Sequence, residues 1–216
     1  MNRRIYRQLG ATLVVLSLTV SAALAGGEQD KSPASTEAPP VNLIKVPMTR
    51  QATNYTCGVS ALQSLFAYYG DEYREDVLAR ELKADKRTGT RYKRIAKLAK
   101  SKGYTVDVHT NMSIKQLQGL LDKRIPVICL IQAWSDRKVD YSVDWQDGHY
   151  VVAIGYDDHN IYFMDPSTLG NYTYIPVDEF LKRWHDTDTK EKLVHFGMVV
   201  RKEEPSYRTD EVKKLE

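Results

Sequence analysis

The chain has 216 residues, with 31 lysines and arginines against 28 aspartates and glutamates, and two cysteines. Three of the bases and none of the acids fall in the first 25 residues, so the rest is balanced in charge. A general affinity for nucleic acid is thereby excluded.

Residues 1–25 read as a secretory signal. Arg3, Arg4 and Arg7 precede an apolar stretch from Ala11 to Leu24, and Ala23-Leu24-Ala25 supplies the small-x-small cleavage pattern. The stretch is short for a membrane span and no second one follows, so no transmembrane segment is expected after signal removal. The expected location is the periplasm or the medium of a bacterial cell. Residues 26–41, rich in Pro, Ser, Gly and charge, read as a disordered linker. Residues 42–201 read as one folded domain, and 202–216 as a charged tail.

Within the domain, Leu62, Leu65, Phe66 and Tyr69 fall on one helix face, which predicts a helix over 57–69 stopped by Gly70. Helices are expected next at 73–82 and at 90–102, the latter stopped by Gly103. A strand is expected at 104–108, a helix capped by Ser113 runs to Leu121, and the apolar run 126–132 reads as a buried strand. Residues 134–147 are polar and read as a long surface loop. Strands at 149–156 and 160–165 flank a turn at Asp157-Asp158-His159. A short helix at 177–184 and a strand at 195–201 complete the chain. Helices followed by antiparallel strands predict an α+β fold.

Cys57 opens the first helix, where the helix dipole and unpaired backbone N–H groups favour a thiolate. Gln51, six positions earlier, is placed to donate its amide to an oxyanion formed at that sulfur. His149 begins an apolar strand directly after Gly148, and Asp165 ends the next strand before Pro166. Cys57 as nucleophile, His149 as proton carrier, Asp165 as orienting group and Gln51 as oxyanion donor together point to acyl transfer. Register tests the pairing. A two-residue turn at Asp158-His159 puts His149 and Asp165 on opposite faces of the sheet. A three-residue turn or a one-residue bulge puts them on one face as diagonal neighbours, so one of those two is predicted.

The segment Val46-Pro-Met…Gln51…Thr56-Cys57-Gly58-Val59-Ser60-Ala61-Leu62…Tyr68-Tyr69-Gly70 resembles the start of C39-like peptidases, in the papain-like cysteine peptidase group. Gly89-Thr90…Gly103-Tyr104, Ile125-Pro126-Val127-Ile128 and Gly148-His149-Tyr150…Met164-Asp165-Pro166 are similar to later blocks of that family. The resemblance implies a papain-like fold, with a helical half carrying Cys57 and an antiparallel sheet half carrying His149 and Asp165. It also implies hydrolysis of peptide bonds in a peptide or protein substrate, with Gln51 as the oxyanion residue. Double-glycine specificity, known in exporter-fused members, is not carried over.

Other features have plainer readings. Asn54-Tyr55-Thr56 is a glycosylation sequon whose sugar would crowd Cys57, which fits a bacterial chain. No metal or organic cofactor is implied, since neither 157–159 nor 185–188 has ligand spacing and both read as solvated turns. Lys83–Lys102 holds nine bases and one acid, Asp85. It reads as a solvated helix face, or alternatively as a dock for an anionic envelope surface or acidic peptide. Two rivals to the peptidase remain open. One is an acyl- or peptidyl-transferase using the same residues, and the other a non-catalytic papain-like binding module held by a Cys57–Cys129 disulfide.

Overall fold

The computed structural model describes residues 42–210, 212 and 214. The signal at 1–25 and the linker at 26–41 lie outside the described residues. The elements are α1 Cys57–Tyr68, α2 Glu75–Leu82, α3 Tyr92–Ser101, β1 Thr105–His109, α4 Ile114–Leu121, β2 Val127–Gln132, β3 Gly148–Tyr156, β4 Asn160–Met164, β5 Thr173–Pro176, α5 Val177–Arg183, β6 His185–Asp188, β7 Glu191–Val194 and β8 Gly197–Arg201. Six strands form one antiparallel sheet in the order β1-β8-β2-β3-β4-β5, and β6 pairs with β7. The last strand thus sits inside the sheet, between β1 and β2. The α+β expectation holds.

Every residue of β2 is buried, as its unbroken apolar run requires of a strand covered on both faces. Tyr150 and Phe163 point to opposite faces, because Phe163 pairs with Ala153 and parity alternates along β3. Tyr150 packs under the start of α1. Phe163 packs against Phe180 of α5, the rings tilted with centroids 5.3 Å apart. The sheet is therefore sandwiched between α1 and α5. Val59, Leu62, Leu65 and Phe66 of α1 have no exposed surface. Each such large apolar side chain stabilises the fold by about 1.5–3 kcal/mol. That burial fixes the end of the helix on which Cys57 sits. The third helix is instead one-sided, with Tyr92, Ile95 and Ala99 inward and Lys93, Lys97 and Lys100 in solvent.

Three strands were not expected from the sequence. The stretch 185–188 is strand β6, paired with β7, where a solvated turn was predicted. His185 within it is buried, its Nε2 lying 2.7 Å from the carbonyl of Asp144. β5 adds an edge to β4 at 173–176. The tail at 202–210 forms neither helix nor strand, yet Ser206 and Tyr207 donate their amides to the carbonyl of Tyr68. No helix among the described residues is long and apolar enough to cross a membrane.

Candidate active site

Cys57 is the first residue of α1 and is buried. No side chain caps this helix: the Thr56 hydroxyl turns back to accept the Thr53 amide at 3.2 Å. The first-turn N–H groups are left without a side-chain acceptor, which makes the helix end an anion-favouring place. Gly58 lets that end press into the sheet. A Cβ there would lie 2.9 Å from both Thr90 Cβ and Tyr150 Cδ2, closer than packed carbons tolerate.

The β3–β4 hairpin has a register shift. Gly155 and Tyr156 pair with Tyr162 and Ile161, whereas Val152 and Ala153 pair with Met164 and Phe163. The turn is the two-residue type, with the Asp157 amide donating to Asn160, and the extra residue is Ile154. This is the one-residue bulge that parity demanded. Its free carbonyl accepts the Ile44 amide at 2.7 Å. Beyond the bulge, Asp165 and His149 share a face, and His149 Nε2 meets Asp165 Oδ1 at 2.7 Å.

Both side chains are buried. Burial disfavours the imidazolium, but the hydrogen bonds to Asp165 and to Cys57 outweigh it and push His149 up to about 9. With Nε2 directed at the carboxylate, Nδ1 is the nitrogen left for the sulfur. Burial also opposes the Asp165 anion, yet donation from His149, the Ser167 amide and the Trp134 indole holds its carboxyl below the usual range. Ser167 N–H donates to Oδ1 at 2.7 Å and Trp134 Nε1 to Oδ2 at 3.1 Å.

Gln51 is tied to the same corner. Its backbone amide donates to Pro166 O at 3.0 Å, and its Oε1 accepts from Ser167 Oγ at 3.1 Å. Its Nε2 donates to Thr53 O at 2.7 Å, which leaves one amide hydrogen uncommitted. All four residues singled out in the sequence are thus placed at the junction of α1 with the β3–β4 hairpin. Trp134 and Ser167 were missed. No sequence signal marked Trp134, which lies in an otherwise polar loop and is held at φ 62° in the structure.

A cleft of about 430 Å³ opens beside Cys57, walled by Lys86, Arg87 and Arg91 on one side and by Gly148, Asp186 and Asp188 on the other. Gln132, wholly buried, donates to Asp186 Oδ1 at 3.2 Å and accepts the Asp147 amide at 2.9 Å. Asp186 is pushed up to about 6, chiefly by burial. Its carboxylate rests on Gly148, where a Cβ would meet Oδ2 at 2.2 Å. Gly148→Ala is therefore expected to destabilise the fold by about 1–3 kcal/mol in urea unfolding. Asp186→Ala should restore most of that loss in the double variant.

Cys57 and Cys129 are both free, so the disulfide of a binding module is not formed. Cys129 is fully buried in β2, and burial pushes its thiol far up, as for an inert core residue.

The sequence model of the Peptidase_C39 like family matches residues 43–191. No curated protein matches the chain. Among solved structures, a protein described as a C39-like peptidase from Bacillus anthracis aligns with TM-score 0.59 and 19% identity, over 76% of this chain and 98% of that one. The peptidase domain of Streptococcus ComA, a bifunctional ABC transporter in quorum sensing, aligns with TM-score 0.56 and 20% identity, over 72% and 98%. A double glycine motif protease from an AMS/PCAT transporter, in complex with its leader peptide, aligns with TM-score 0.51 and 20% identity, over 76% and 94%. The fold is that of papain-like cysteine peptidases, α+β with an antiparallel sheet. The chain belongs to the Peptidase_C39 like family.

Proposed function

We propose that this chain is an exported cysteine peptidase that hydrolyses peptide bonds through Cys57, His149 and Asp165, with Gln51 as oxyanion donor. The observation that carries the reading is the buried 2.7 Å contact between His149 and Asp165, with Cys57 at a helix start as the imidazole's other partner. His149 Nδ1 takes the Cys57 proton as the sulfur attacks the scissile carbonyl. The oxyanion is held by the Cys57 amide and the free hydrogen of Gln51 Nε2. His149 then protonates the departing amine, leaving a thioester on Cys57. The imidazole next takes a proton from water, whose oxygen attacks the thioester and releases the acid and the thiol. The leader peptide bound to the double glycine motif protease of similar fold supports a peptide as the occupant. Export rests on residues 1–25 and fits the periplasm or the medium of a bacterium.

The test is mass spectrometry of a peptide library incubated with the reduced chain. Expected are new carboxyl termini that disappear after thiol alkylation. Products joined to an added amine, in place of free acids, would reassign the chain to acyl transfer.

Trp134 is a positioning residue for Asp165 in this scheme. Trp134→Phe leaves a buried carboxylate oxygen one donor short, worth about 1–3 kcal/mol. Turnover is expected to fall about tenfold with KM little changed, and the pH–rate profile should shift with it.

A further inference from the structure

Three hollows run in series from Cys57. The first is the cleft walled by Lys86, Arg87 and Arg91. A second, of about 460 Å³, shares Arg91 with it and reaches Lys93, Arg94 and Lys190. A third, of about 310 Å³, shares Arg94 with the second and reaches Lys83 and Lys97 along α3. The acids on this path are engaged within the protein. Asp186 accepts from Gln132 Nε2 and Asp188 accepts the Tyr92 amide, both at 3.2 Å, Glu191 pairs with Lys93 at 2.7 Å, and Glu81 pairs with Lys102 at 3.0 Å. Among the described residues, Lys86, Lys97 and Lys100 are exposed and stand in no ion pair. A helix face with unspent positive charge therefore leads into the sulfur's cleft.

We infer that this strip binds an acidic segment of the polypeptide whose scissile bond enters the cleft. The inference rests on the peptidase reading and names its substrate class: chains carrying several Asp or Glu residues to one side of the cut. Ten residues of α3 span about 15 Å, which about five extended residues cover, so a short acidic run suffices. A lipid surface fits less well. No large hydrophobic side chain between Lys83 and Lys102 is exposed, so nothing there would insert into a bilayer. The strip also continues into a concavity that a single chain can follow.

The test uses Cys57→Ala protein, which binds without cutting, and a fluorescein-labelled octaglutamate followed by anisotropy at about 20 mM salt. Binding that weakens with salt is expected. Lys97→Glu with Lys100→Glu should weaken it about tenfold or more. The same charge change at exposed Lys115 and Lys123, on and beside α4, should alter it less than about twofold. No binding, equal weakening by both pairs, or preference for phosphatidylglycerol vesicles over the peptide would overturn the inference. Because binding is read without cleavage, these failures leave hydrolysis by Cys57 untouched. An intact strip on a chain that cuts nothing would sink the peptidase reading alone.

Discussion

Replacing His149 with alanine is expected to lower kcat/KM for peptide hydrolysis by about 10⁴-fold or more, and Cys57→Ala by at least as much. His149→Ala leaves the buried Asp165 carboxylate without its imidazole partner and should lower stability, so activities are compared where circular dichroism shows each variant folded. In the proposed mechanism the imidazole carries both proton transfers, so no other group compensates for its absence. The pH profile gives a second readout. His149 is held at about 9, so the imidazolium that protonates the leaving amine is present at neutral pH. Activity should therefore fall as pH rises through about 9. Asp165→Asn removes the carboxylate that supports the cation, and should move that falling limb to lower pH. The same shift has a stability counterpart of fixed sign. The folded value lies above the unfolded 6.5, so the stabilisation is complete below about pH 6.5 and is lost as pH rises through about 9.

Gln51→Ala is expected to lower kcat by about 10²–10³-fold with KM almost unchanged. The amide donor matters only once the carbonyl oxygen has become an oxyanion, so the loss belongs to the transition state. Gln51 is aimed by the Pro166 carbonyl, the Ser167 hydroxyl and the Thr53 carbonyl. Ser167 also donates its amide to Asp165, so Gln51 and Asp165 hang from one turn. Steady-state kinetics of Gln51→Ala and Gln51→Glu check this. Glutamate offers no N–H and should be no better than alanine. A change confined to KM would assign Gln51 to ground-state binding instead.

The parts of the site that sequence exposed are those set by local pattern. Cys57 was legible because the apolar spacing of α1 marks where the helix begins. His149 and Asp165 were legible because strand parity left only two turn geometries able to join them, and the bulge at Ile154 is one of the two. What stayed hidden depends on distant chain segments meeting. The Trp134 indole reaches Asp165 across 31 positions, and nothing in the polar stretch around it marks that contact. β6 carries His-Asp-Thr-Asp without alternating apolar residues, so its pairing with β7 left no periodic trace. Asp186 resting on Gly148 is likewise invisible until the fold places β6 beside the start of β3.

The most direct test of the central claim is labelling of the reduced chain with a peptide-like thiol electrophile, followed by mass spectrometric mapping. The predicted result is modification at Cys57 alone, absent in Cys57→Ala and strongly slowed in His149→Ala. Modification at Cys129, or labelling of Cys57 at an unchanged rate without His149, would contradict it.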